Sequence, residues 1–194
     1  MKLVLASTSP FRKALLERLQ VAYTCDSADI NESPLAGETI EQMVTRLACE
    51  KARAVADRHP DALIIGSDQS AVLDGEILTK PGTFDNAVRQ LRNASGKRIV
   101  FHTGLCLLNS ATGEKQSACV PYTVEFRELT DAMIERYLEK EEPYNCAGSF
   151  KSEGLGITLF KRFEGEDPNA LIGLPLIKLT ELLENEGLSI LGNE

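Results

Sequence analysis

Two runs of strand-forming residues, Arg98 to Leu108 and Gln116 to Phe126, are separated by a short polar turn that contains Gly113. Each run is about twice the length of an average strand, and neighbours joined by so short a link pair antiparallel. Whatever fold the chain adopts therefore contains a wide sheet, much of it antiparallel.

The other segments alternate between strand and helix patterns. Lys2 to Ala6 is a short buried strand, followed by Ser7-Thr8-Ser9 and Pro10. Ser9 suits a helix N-cap and Pro10 the first helical position, and Leu15, Leu16 and Leu19 form the inner face of the helix. Thr39 and Gln42 make a capping-box pair, opening a helix that runs to about Arg58 and stops before Pro60. Leu63-Ile64-Ile65 is a buried strand that is expected to break at "GSDQS", resume as Ala71-Val72-Leu73 and turn at Asp74-Gly75 into a hairpin with Glu76-Ile77-Leu78. Thr83 and Thr130 cap helices reaching about Asn93 and Glu141. "ITLF" reads as a strand, "EGEDPNALIGLP" as a polar loop, and a last helix spans about Pro175 to Glu186. The class is α/β, with a mixed, largely antiparallel sheet flanked by helices. No internal repeat or linker divides residues 1–194, so they form one folded unit.

Composition excludes several functions. The net charge of −8 argues against binding a nucleic-acid polymer or an anionic membrane, since both need a basic surface. No apolar run approaches the roughly 18 residues of a membrane span, and Met1 to Ala6 begins a strand rather than a signal peptide. A cytoplasmic protein without membrane attachment is expected. The five cysteines, Cys25, Cys49, Cys106, Cys119 and Cys146, are scattered without a CxxC pair, which indicates neither a disulfide framework nor a zinc site; most are expected to be buried.

Asp68 stands between two apolar runs, after a glycine that permits a bend or a close backbone approach. Two readings stand: a strand-end carboxylate satisfied by local amides, or a catalytic group facing a cleft. An ordinary aspartate pKa of about 3.9 makes a weak base, so catalysis needs an upward shift or a metal ion that acidifies water. Lys51 falls on the apolar face of its helix, with Val44, Leu47 and Val55. Its stem either lies along the core edge with the ammonium in water, or its charge has an inward partner. Arg12 and Lys13 occupy a first helical turn, where the macrodipole disfavours cations unless an anion binds there too. Lys80 before Pro81 is a further candidate cation; taken singly, each lysine is a solvated charge. Walker, GxGxxG and GxSxG motifs are absent. His59 is expected on the surface and His102 as a hydrogen-bonded sheet residue, which leaves no histidine base.

"LASTSPFRKALL", "ADINES", "RLACEKA", "LIIGSDQ", "TKP", "FDNA", "ASGKRIVFHTGL" and "GLPL", in that order along nearly the whole chain, resemble the Maf family of nucleoside triphosphate pyrophosphatases. The resemblance implies an elongated mixed sheet flanked by helices, of the Maf and ITPase-like kind. It implies a single bilobed domain with a central cleft, a homodimer, and release of pyrophosphate from a nucleotide with a divalent cation, Mg²⁺ or Mn²⁺. Carried onto this chain, it makes Asp68 the general base, Ser7, Arg12, Lys51 and Lys80 the phosphate cradle, and Glu32 with Asp68 the carboxylates near a metal. Asp85 either orients one of these cations or favours its helix N-terminus.

Within that family, the pyrimidine branch carries Arg after the proline, Thr after the catalytic Asp and Gln late in the chain. Here those places hold Phe11, Gln69 and Glu153, a set similar to the branch that cleaves 7-methyl-GTP. The chemistry agrees: a 7-methylguanine ring is cationic and stacks on an aromatic face, and its N1–H and N2–H₂ donors suit a carboxylate. Gln69 offers a donor or an acceptor. The other reading packs Phe11 under its helix and leaves Glu153 as a solvated charge. The family also carries an association with septum formation and cell division, so a nucleotide-binding regulator is the alternative in a different class, and a pyrophosphatase for another purine or a pyrimidine the alternative within this one.

Overall fold

The computed structural model describes residues 1–192, beginning with β1 (Lys2–Leu5) and α1 (Pro10–Glu17). Pro10 takes the first helical position, where an N–H would have no partner, and the Ser9 hydroxyl accepts from the Arg12 amide at 3.4 Å. Beyond the helix, β2 (Thr24–Cys25) pairs parallel with β1. Two residues carry no periodicity, so this strand has no sequence signature.

α2 (Ile40–Ala56) opens with the expected capping box: the Gln42 amide donates to Thr39 Oγ1 at 3.2 Å, and the Thr39 amide donates to Gln42 Oε1 at 2.9 Å. The helix stops two residues before Arg58. Arg58 Nε and His59 Nε2 lie 2.8 and 2.7 Å from Asp26 Oδ2, so His59 is half-buried against a carboxylate rather than free on the surface. Arg58 and then His59 hold the Asp26 carboxyl well below the usual carboxylate range.

β3 (Ala62–Leu73) corrects the expected break, because it runs without interruption through "GSDQS". Gly66 serves close approach instead of a bend. A Cβ there would lie 2.0 Å from the Ala48 carbonyl oxygen of α2. β3 pairs parallel with β1 from Lys2↔Ala62 to Leu5↔Ile65. At Asp74 and Gly75, with φ of 53° and 86°, it turns into β4 (Glu76–Leu78), the positive angles a two-residue hairpin requires.

α3 (Phe84–Ala94) and α4 (Asp131–Glu141) begin at Thr83 and Thr130 as predicted, and the two long strands form as β5 (Arg98–Asn109) and β6 (Lys115–Phe126). "ITLF" is a correction: a 3₁₀ turn occupies Leu155–Leu159, and β7 (Phe160–Glu164) starts only at Phe160, antiparallel to β6. Within this turn Gly156 lies against the Lys151 backbone, where an added Cβ would be 2.2 Å from the Lys151 carbonyl oxygen. The polar loop hides a second omission, α5 (Pro168–Ile172), before α6 (Leu176–Asn185). Asp167 caps α5 and Pro168 opens it, the same signal as Ser9-Pro10 on a segment of only five residues.

Among the described residues the sheet has seven strands, in the order β2-β1-β3-β5-β6-β7 with β4 also on β3. The chain divides into two compact units, one of Met1–Gln69, His102–Val120 and the chain from Asp167 onward, the other of Ser70–Phe101 and Pro121–Glu166. In the first unit the strands are apolar on both faces. Leu3, Leu5, Leu63, Ile65, Leu105 and Leu107 pack with α1 and α6, while Val4, Ala62, Ile64, Cys106 and Leu108 pack with Ala48, Ala52 and Val55 of α2. In the second unit Phe126, Phe150 and Phe160 meet edge to face at 4.9 to 5.5 Å. The cysteines are free thiols, and only Cys106 is fully buried. Among the described residues no helix is long and apolar enough to cross a membrane.

Candidate active site

The alternation along β3 decides which way its polar residues point. Even positions, Ala62 and Ile64, pack with the α2 cluster, and odd positions, Leu63 and Ile65, pack with the α1 and α6 cluster. Continuing the same period sends Gly66 and Asp68 toward α2 and Ser67 and Gln69 to the opposite face. Gly66 lets α2 come close. Asp68, one residue pair further, meets Lys51.

Lys51 and Asp68 are 8% and 7% exposed, and Lys51 Nζ donates to Asp68 Oδ1 at 2.6 Å. The same ammonium lies 2.8 Å from Glu32 Oε1, on the loop before α2. The inward lysine is therefore a paired charge, with one buried and one exposed carboxylate partner. A pair this buried is costly to desolvate and strongly destabilising to break from one side, so a buried lysine between two carboxylates is better evidence of a function than of stability.

Arg12 joins this group from α1. Its Nε donates to the Gly173 carbonyl at 3.0 Å. Burial lowers the Arg12 pKa, and the charges of Asp68 and Glu32 oppose that shift, so both carboxylates lie within electrostatic reach of the guanidinium. Ser7 is buried, and its hydroxyl accepts from the Ser9 amide at 3.2 Å. Phe11 is 40% exposed.

On the other face of β3, Ser67 Oγ donates to the Gly173 carbonyl at 2.8 Å, and Gln69 Nε2 donates to Thr103 Oγ1, Ala170 O and Leu171 O at 2.9, 2.7 and 3.2 Å. The carbonyls at the end of α5 and of its C-cap Gly173 thus hold side chains from three other elements, in addition to the Gly173 amide that reaches Ala170 O at 3.1 Å. Ser67 and Thr103 were not singled out in the sequence. The signal for Ser67 was its place in the β3 alternation; for the carbonyls it was the Asp-Pro start of α5.

The remaining predicted residues belong to the second unit. Lys80 is exposed just after β4, Asp85 is exposed in the first turn of α3, and Glu153 is exposed with Oε2 accepting from Ser152 Oγ at 3.2 Å. Burial raises the Cys146 thiol pKa, with Glu153 adding to that shift and Lys80 opposing it, which brings both residues into one neighbourhood. His102 lies 3.4 Å through Nδ1 from Glu41 Oε1, and that nitrogen has no hydrogen-bond partner among the described residues, so the expectation of a bonded sheet histidine is not met on that side of the ring.

The Maf-like protein family matches residues 2–186. The chain is 58% identical over 188 residues to the 7-methyl-GTP pyrophosphatase of Alcanivorax borkumensis, covering 97% of this chain and 95% of that protein. It is also 58% identical over 188 residues to the 7-methyl-GTP pyrophosphatase of Pseudomonas savastanoi pv. phaseolicola, covering 97% and 98%. Among solved structures, the Staphylococcus aureus Ham1 protein aligns with a TM-score of 0.47 at 17% identity, over 66% of this chain and 73% of that one. With a family match running from residue 2 to residue 186 and relatives this similar over almost its full length, the chain belongs to the Maf family.

Proposed function

We propose that the protein hydrolyses 7-methyl-GTP to 7-methyl-GMP and pyrophosphate, with Asp68 as the general base. The observation that carries the reading is the buried Lys51–Asp68 pair, with the exposed Glu32 carboxylate on the same ammonium, in a chain 58% identical to two proteins named 7-methyl-GTP pyrophosphatase. Lys51 holds Asp68 Oδ1, which leaves Oδ2 to take a proton from water. The water oxygen attacks the α-phosphorus, the bond to the bridging oxygen of the β-phosphate breaks, and pyrophosphate departs with the electron pair. Arg12, Lys51 and Lys80 neutralise charge on the phosphates as it shifts to the leaving group.

Glu32 and Asp68 suit a divalent cation. Their oxygens already converge on one positive charge, Lys51 Nζ, at 2.8 and 2.6 Å, and carboxylate oxygens are the hard ligands that Mg²⁺ and Mn²⁺ prefer. Among the described residues no three His, Cys, Asp or Glu form a metal cage, so phosphate oxygens and water would complete the coordination. When bound, such an ion supplies Lewis-acid stabilisation of the phosphate oxygens.

Phe11 supplies the stacking face for the cationic base, and Glu153 accepts from its N1–H and N2–H₂ donors. Glu153→Gln or Phe11→Ala is expected to lower the preference for 7-methyl-GTP over GTP by about tenfold, measured as the ratio of kcat/KM. An unchanged ratio in both variants removes this recognition scheme. The function itself is tested by pyrophosphate release from 7-methyl-GTP, GTP, dTTP and UTP with Mg²⁺ or Mn²⁺. The expected result is a kcat/KM for 7-methyl-GTP at least about tenfold above the others; faster turnover of UTP or dTTP would replace the reading with a pyrimidine one.

A further inference from the structure

Gln69 is held so that only one end of its amide is available. Its Nε2 has three oxygens within reach, Thr103 Oγ1 at 2.9 Å, Ala170 O at 2.7 Å and Leu171 O at 3.2 Å. Two of these are carbonyls, which never donate. The third is a hydroxyl whose single proton is already directed to Ala170 O, at 2.8 Å, so toward Gln69 it can only accept. Turning the amide over would set Oε1 against three acceptors. The orientation is therefore fixed by chemistry, with Nε2 inward and Oε1 outward.

Thr103 is the part of this clamp that a side chain supplies. It is completely buried on β5, at an odd position like Leu105 and Leu107, and so lies on the face to which β3 sends Gln69. The two Nε2 hydrogens go to the two nearest acceptors, Ala170 O and Thr103 Oγ1. Without the hydroxyl, one hydrogen would be left with the longer bond to Leu171 O alone.

We infer that Thr103 is a positioning residue for base selection, locking Gln69 as a pure hydrogen-bond acceptor toward the substrate. The inference rests on the proposed function and on Gln69 facing the base, as its place in the specificity set of the family resemblance implies. A guanine edge presents adjacent donors, N1–H and N2–H₂, and a fixed acceptor complements it. A uracil or thymine edge presents one donor flanked by two carbonyls, and a fixed acceptor meets those carbonyls unfavourably. An amide free to turn would satisfy both edges and select neither.

Thr103→Val keeps the shape and removes the hydroxyl, while Thr103→Ser keeps the hydroxyl. The ratio of kcat/KM for 7-methyl-GTP to that for UTP is expected to fall roughly three- to tenfold in Thr103→Val, the loss of one net hydrogen bond, with kcat on 7-methyl-GTP held within about twofold. Thr103→Ser is expected to restore the ratio. In parallel, hydrogen exchange of the Gln69 side-chain amide, followed by ¹⁵N NMR on the free protein, is expected to accelerate about tenfold in Thr103→Val and not in Thr103→Ser. A merely structural Thr103 would lower stability and leave the ratio where it was. A selective wild type with an unchanged ratio in Thr103→Val overturns the inference, as does unchanged amide exchange. A wild type without preference for 7-methyl-GTP overturns the proposed function instead, and the exchange measurement then decides by itself whether Thr103 locks Gln69.

Discussion

Asp68→Asn is expected to lower kcat for pyrophosphate release by about 10²- to 10⁴-fold, the usual cost of losing a positioned general base. The amide keeps the shape of the carboxylate, and its oxygen can still accept from Lys51 Nζ where Asp68 Oδ1 does at 2.6 Å. What it cannot do is take a proton from water. The affinity for 7-methyl-GTP, measured by calorimetry, is expected to stay within about threefold, because the cations proposed to bind the phosphates are untouched and a negative charge proposed to lie beside them has been removed. Since Lys51 would keep only Glu32 as a charged partner, the unfolding temperature is the control that separates lost chemistry from lost structure. An asparagine variant that is folded and turns over at the wild-type rate would deprive Asp68 of its role.

Gly66→Ala is expected to destabilise the fold by about 3 kcal/mol and to lower Tm by roughly 6–12 °C for a chain of this size. The added methyl would lie 2.0 Å from the Ala48 carbonyl oxygen and 3.0 Å from the Ala52 amide nitrogen, both backbone atoms of α2 that no rotamer change can move. Relief requires α2 to shift from β3. Lys51 sits three residues after Ala48 on that helix, so the same shift lengthens the contact with Asp68 and lowers kcat as well. Thermal unfolding followed by circular dichroism measures the first effect and steady-state kinetics the second. A variant within about 2 °C of the wild type would mean that the helix and strand are not packed this closely.

Gly66 also marks where the sequence was legible and where it stopped. That a glycine before Asp68 serves either a bend or a close approach follows from its missing side chain. Which of the two holds depends on what stands opposite, and Ala48 is eighteen residues away in the chain. The same division applies to Lys51. Helical spacing put it on the inward face, but not what it meets there. His59 was misplaced for a related reason: its position before Pro60 said nothing of Asp26, 33 residues earlier in the chain. The missed elements, β2 and α5, have two and five residues, too short for a period to accumulate. "ITLF" has the composition of a strand, yet its first three residues lie in a 3₁₀ turn, since strand propensity yields to context.

The order of the longer elements, the caps at Ser9, Thr39, Thr83 and Thr130, the hairpin at Asp74-Gly75 and the family were all determined by the sequence, because each depends on neighbouring residues or on a pattern of motifs along the chain. Only the tertiary structure decided that Lys51 bridges Asp68 and Glu32, and that Thr103 and the α5 carbonyls leave Gln69 a single free end. Those contacts join residues from 17 to 102 positions apart, and their strength comes from burial and distance, which no local pattern encodes.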